Sequence, residues 1–183
     1  IATVLIAAAG YVINDINDVV SDRINKPTKT YIPSSFSESF AFTIYLALNI
    51  AGVGIGFLMC YSMDLTNFAT LFVLISALLY VYANFLKQLI IIGNLVVSIA
   101  VASSIFIVII FDMLPLLNRF QQELITPMSI LRDYGIFALM LNFLREIIKD
   151  IEDTNGDHAA GIQSLPIVLG LERTAKLSAY IAV

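Results

Sequence analysis

One cysteine, Cys60, and one histidine, His158, leave this sequence too poor in soft ligands for a Cys/His metal centre, and a lone cysteine rules out an internal disulfide. It has no tryptophan, no glycine-rich nucleotide loop and no basic patch of the kind that tracks nucleic acid. Partners of that class are not expected. Charge is scarce too: 13% of the 183 residues are Asp, Glu, Lys or Arg, against 59% hydrophobic. Mean hydropathy is +0.89 and the net charge is -4. That composition is the one of an all-α, polytopic transmembrane helix bundle set in a lipid bilayer.

What the chain does have is long apolar runs. About 20 apolar residues cross the hydrocarbon of a bilayer, and runs of this kind occupy Ile1–Ile13, Ser39–Met63, Phe68–Phe85, Leu89–Phe111 and Asp133–Ile148. The Pro- and Ser-rich stretch Lys26–Glu38 reads as a loop, Asp64–Asn67 as a turn, and Asp112–Arg132 as a polar, proline-containing connection. A further helix starts at Glu172. Ile1–Ile13 has neither a basic leader nor a small-residue cleavage site, so it reads as a truncated span and not as a signal peptide. With another apolar run at Ala179–Val183, residues 1–183 read as a single transmembrane domain truncated at both ends. Gly52 and Gly56 form a GxxxG pair, which predicts close helix packing.

Against this background two acidic stretches stand out. NDINDVVSDRINKP, Asn14–Pro27, places Asp15, Asp18 and Asp22 at i, i+3 and i+7, with Asn14 four before Asp18. On one helix those positions share a face. A carboxylate at the centre of a membrane helix costs about 2.5 to 3.5 kcal/mol, so a cluster at a helix end is either solvated or compensated by a ligand. KDIEDTNGDHAAGIQSLP, Lys149–Pro166, repeats the spacing with Asp150, Asp153 and Asp157. Counting crossings puts both stretches and Lys87 on the same side of the bundle. That side also holds Arg23, Lys26, Lys29, Arg145 and Lys149, and the other only Arg119 and Arg132. The positive-inside rule makes it cytoplasmic.

Hard oxygen ligands suit Mg²⁺, which binds through one or two carboxylates plus substrate phosphates. Basic residues among them argue for a polyanion such as diphosphate, with Lys87, Arg145 and Lys149 the leading candidates. Each has an ordinary alternative, Lys87 as a snorkelling anchor and Lys149 as an orienting charge. If the diphosphate is carried by an allylic carbon, its departure leaves a carbocation that an apolar cavity protects from water. Tyr82 and Phe85 could stabilise that cation through their ring faces, or could belong, with Tyr80, to an interfacial aromatic belt. His158 reads as a solvated loop residue. A divalent-cation transporter is the rival of another class, but it would place its carboxylates near mid-membrane with few basic neighbours.

NDxxDxxxD at Asn14–Asp22 with Asn25-Lys26-Pro27 after it, DxxxD at Asp153–Asp157 with Gly161 and Leu165-Pro166, and YANFLK at Tyr82–Lys87 with Gly93-Asn94 resemble the signature segments of the UbiA superfamily of intramembrane prenyltransferases. The resemblance covers nearly the whole chain. It implies a nine-helix fold, of which this segment holds the end of the second helix to the start of the seventh. It implies Mg²⁺ bound by Asn14, Asp18, Asp22, Asp153 and Asp157, with Asp15 and Asp150 in support, and Asp18, Asp153 and Lys87 as catalytic groups. Tyr82, Lys87, Arg145, Lys149 and Lys29 would meet the substrate. Lys29-Thr30 stands where relatives often have Arg-Pro, which leaves Lys29 the weakest of these assignments. REIIKDIEDTNGD and GNLVVS look most similar to enzymes that prenylate geranylgeranylglyceryl phosphate. Aromatic and chlorin or quinone-precursor acceptors are the alternatives within the superfamily.

Overall fold

The computed structural model describes residues 1–182; Val183, the last residue of the terminal apolar run, lies outside them. Among the described residues there are helices and no strands. The helices are α1 (Ala2–Asn17), α2 (Val19–Asn25), α3 (Glu38–Ser62), α4 (Ala69–Asn84), α5 (Ile92–Val108), α6 (Gln121–Ala159), α7 (Leu165–Leu169) and α8 (Leu171–Ile181). Four helical segments are long and apolar enough to cross a membrane: Glu38–Ser62, Thr66–Asn84, Ile92–Leu116 and Gln121–Ala159. The bent pair α1 and α2 makes a fifth if counted as one span. This is the architecture of an integral, multi-pass helical membrane protein, and many of its large apolar side chains face outward, as a lipid-facing surface requires.

Small residues set how closely the helices approach. A Cβ on Gly52 would lie 2.8 Å from Ile6 Cγ1 of α1, and one on Gly56 would lie 2.5 Å from the Phe72 ring of α4. The GxxxG pair of α3 therefore packs against both neighbours, as its spacing predicts. Two apolar clusters result. Ala2, Ile6, Cys60, Ala69, Phe72 and Phe111 form one, and Ala9, Ile13, Tyr45 and Ala83 the other. Cys60 is a free, fully buried thiol within the first. α1 packs on α3 and α4, α5 packs on α6, and α2 leaves α1 to pack on α6.

Two expectations are corrected. The connection over Asp112–Arg132 is mostly helical: after short turns α6 starts at Gln121 and runs 39 residues, with Pro127 inside it. Gln121, Gln122, Glu123, Leu124 and Arg132 are good helix formers, and their preference outweighs the one backbone hydrogen bond that Pro127, the seventh helical residue, takes away. At about 1.5 Å per residue α6 is about 58 Å long, so it projects beyond a hydrocarbon layer of about 30 Å. The fifth apolar run is only its middle, and the second acidic stretch is its C-terminal part. The second correction concerns the first acidic stretch. α1 and α2 meet at Asp18, whose φ/ψ of -91°/3° leaves the helical region, and their axes bend by 81°. Asp15, Asp18 and Asp22 do not share one continuous helix face.

Candidate active site

α1 brings Asn14 and Asp15 to the end of an apolar helix, and the bend at Asp18 then turns α2 across the bundle end towards α6. What holds the turn is a set of polar contacts between α2 and α6. Asn25 Nδ2 donates to the Asp153 carbonyl at 3.0 Å, and Asn25 Oδ1 accepts from the Gly156 backbone N–H at 3.0 Å. Ser21 Oγ donates to Asp157 Oδ1 at 3.3 Å. The approach depends on Gly156, because a Cβ there would run into the Asn25 side-chain amide and lie 2.6 Å from the Ser21 carbonyl oxygen.

Between the walls lies a cavity of about 630 Å³. Asn14, Asp15, Asp18 and Asp22 line it from one side and Asp150, Asp153 and Asp157 from the other, with Tyr82, Lys87, Arg145 and Lys149 between them. Away from the acidic end its lining turns apolar, with Ile6, Phe72, Ile75, Leu79, Val97 and Val101. Charge is met by charge. Buried Asp18 accepts from Asn14 Nδ2 at 2.6 Å and forms an ion pair with Lys87 through the same oxygen. Lys26 Nζ lies 3.7 Å from both Asp22 and Asp153, joining the walls, and Lys149 Nζ lies 3.9 Å from Asp153. Asp150 accepts from Asn94 Nδ2 of α5 at 2.8 Å.

Of the residues singled out by sequence, two fall outside this arrangement. Lys29 lies exposed on the loop after α2 and does not line the cavity, because α2 ends at Asn25 and the chain turns outward there. Phe85 is 65% exposed and also off the cavity wall, since α4 ends at Asn84 and of its last turn Tyr82 is the residue that lines the cavity. Arg145 lines the cavity, yet its guanidinium is mostly exposed and pairs with Glu146 at 2.6 Å. His158 is exposed, in keeping with a solvated role, but it lies in the last turn of α6 and not in a loop, because the helix runs on to Ala159. Sequence reasoning gave no site role to Ser21, Lys26, Asn94, Asn142 or Glu146, all of which line the cavity. For two of them a helical signal existed: Asn142 and Glu146 precede Asp150 at four-residue intervals, on the face that carries Asp157.

Whether these residues suit a divalent cation can be tested on their donors. Among the described residues no three Asp, Glu, His or Cys side chains converge closely enough to hold a metal by themselves. The donors at the acidic end are hard carboxylate oxygens, and Asn14 Oδ1 is buried without a hydrogen-bond partner among the described residues. An unsatisfied hard acceptor beside a carboxylate fits Mg²⁺, which completes its shell with water and phosphate oxygens.

Comparison with known proteins agrees with the geometry. The profile of the UbiA prenyltransferase family matches residues 1–183. The chain is 34% identical over 182 residues to the digeranylgeranylglyceryl phosphate synthase of Saccharolobus solfataricus, covering 98% of this chain and 58% of that protein. It is 35% identical over 181 residues to the Methanobrevibacter smithii protein of the same name, covering 96% and 57%. The Sulfurisphaera tokodaii protein of that name is 32% identical over 182 residues, covering 98% and 59%. The chain thus spans between half and three fifths of the length of these relatives. No solved structure matches it. An all-helical bundle, two acidic segments closing one cavity and a profile match over every residue together show that the chain belongs to the UbiA prenyltransferase family.

Proposed function

We propose that the protein of which this chain is part transfers a polyprenyl group from an allylic prenyl diphosphate to the hydroxyl of a glyceryl phosphate lipid within the membrane, in a Mg²⁺-dependent reaction. The observation that carries this reading is a cavity whose one end is lined by carboxylates and cations and whose other end is apolar. An amphiphile with a diphosphate head and a hydrocarbon tail matches that division. The acceptor is supported by the three relatives described above, all of them digeranylgeranylglyceryl phosphate synthases.

Asn14, Asp15, Asp18 and Asp22 on one wall and Asp150, Asp153 and Asp157 on the other would hold Mg²⁺. Bound there, Mg²⁺ supplies Lewis-acid neutralisation of the leaving diphosphate. Lys87, Lys26 and Lys149 meet the remaining negative charge, and Lys87 exchanges its Asp18 partner for a phosphate oxygen as the donor binds. Tyr82 offers a ring face to the allylic carbon, where a cation develops as the C–O bond lengthens. Phe72, Leu79 and Val101 hold the prenyl chain and keep water from that cation. The excess of Lys and Arg on the side of the acidic segments orients this end towards the cytoplasm.

The deciding experiment is diphosphate release from geranylgeranyl diphosphate by the full-length protein in detergent, with and without Mg²⁺. Geranylgeranylglyceryl phosphate and an aromatic acid are offered as alternative acceptors. Mg²⁺-dependent release with the glyceryl phosphate alone is the expected outcome; release with the aromatic acid alone would transfer the reading to that acceptor class. No release under any condition would remove the prenyl-transfer reading and leave cation transport in vesicles as the next assay.

A further inference from the structure

α6 presents more to the cavity than its acidic triplet. Asn142 and Glu146 lie on the same face, about two turns and one turn respectively before Asp150 towards the apolar end. At about 1.5 Å per residue, Glu146 sits about 6 Å along the axis from Asp150 and about 10 Å from Asp153. A diphosphate held between the acidic walls, as proposed above, would put the first carbon of its prenyl chain at about that depth.

Glu146 is buried, with 8% of its side chain exposed. Its Oε1 accepts from Arg145 Nη1 at 2.6 Å, and no hydrogen bond to Oε2 is found among the described residues. Arg145 reaches it from outside, its own side chain 67% exposed. A buried carboxylate held through one oxygen, with the other free, is a poor structural element, because burial costs more than a single partner returns. Asn142 complements it. Its Nδ2 is buried and has no acceptor among the described residues, which is itself unfavourable by about 1 to 3 kcal/mol. One turn of α6 thus carries a free acceptor and a free donor side by side, the two groups that a bound hydroxyl satisfies at once.

We propose that Glu146 is the base that takes the proton of the acceptor hydroxyl and that Asn142 orients that hydroxyl; this rests on the prenyl-transfer reading. The allylic C–O bond breaks with its electron pair leaving on the diphosphate. An oxygen lone pair of the acceptor hydroxyl forms the new C–O ether bond to the allylic carbon. The hydroxyl proton passes to Glu146 Oε2, and water at the cavity mouth removes it after the product departs. Arg145 fixes the direction of the carboxylate without touching the acceptor, so it is a positioning residue.

The test uses the full-length protein in detergent with geranylgeranyl diphosphate, Mg²⁺ and geranylgeranylglyceryl phosphate. Glu146→Gln is expected to lower kcat for transfer about 100-fold or more, the usual scale for losing a general base. The donor KM and the slow acceptor-free release of diphosphate should stay near the wild-type values. Glu146→Asp should recover part of the loss. Asn142→Leu should raise the acceptor KM about tenfold and leave the donor KM unchanged, in line with one lost hydrogen bond to a bound group. Wild-type kcat in Glu146→Gln, or equal loss of donor binding, acceptor-free release and transfer, would overturn the proposal. If Glu146→Gln is not recovered folded, Asn142→Leu decides it, and an unchanged acceptor KM would overturn it. A wild-type protein that releases no diphosphate overturns the underlying reading instead.

Discussion

The two acidic walls have the same spacing in sequence and different backbones in space. Asp150, Asp153 and Asp157 ride on one uninterrupted helix, so their order along α6 is also their order along the cavity. Asp15, Asp18 and Asp22 are split by an 81° bend at the middle residue. The straight wall is a ruler that sets depth. The bent wall is a cap that closes over its end, pinned by Asn25 and Ser21 to α6. Equal spacing therefore does not mean equal duty, and each wall can be broken separately.

The largest effect should come from neutralising one carboxylate on either wall. Asp18→Asn and Asp153→Asn in the full-length protein should each lower turnover about a hundred- to a thousand-fold, with folded protein still extracted from membranes. A large loss for one and none for the other would show that a single wall suffices; failure of both to fold would make the carboxylates structural. Next comes Gly156→Ala, which drives a methyl group into the α2 contact and should cost about 1 to 3 kcal/mol, seen as a fall in Tm with a partial loss of turnover. An unchanged Tm would mean that the cap is not held at Gly156. The smallest effect belongs to Lys29→Ala, because Lys29 is exposed and off the cavity. Its turnover should stay within about twofold of wild type, as for most surface substitutions, and a larger drop in a donor titration would return Lys29 to the site.

Much of this was legible because membrane helices announce themselves by length and apolarity. The spans around α3, α4 and α5, the loop at Lys26–Glu38 and the meeting of the two acidic segments follow from counting. The bend at Asp18 was not legible, since NDINDVVSD contains neither Gly nor Pro to mark a break and its acidic spacing fits a continuous helix face. It arises from tertiary contact, a side-chain amide bonded to the α6 backbone across a glycine 131 residues away. The helix through Pro127 was missed for the opposite reason: a local breaker was present, and the surrounding residues outweighed it. Glu146 escaped notice because it falls outside the repeated triplet, although its four-residue interval from Asp150 was visible.

The charge lining the cavity has a consequence for the order of events. Seven carboxylates, Asp15, Asp18, Asp22, Glu146, Asp150, Asp153 and Asp157, face four cationic side chains, Lys26, Lys87, Arg145 and Lys149, a formal excess of three negative charges. A diphosphate approaching by itself meets repulsion where it must dock. On the proposed reading the cavity works as a coincidence detector, admitting the anion only when a divalent cation arrives before it or with it. Donor capture would then follow the product of two concentrations, and a bare lipid phosphate drifting along the membrane surface would be turned away.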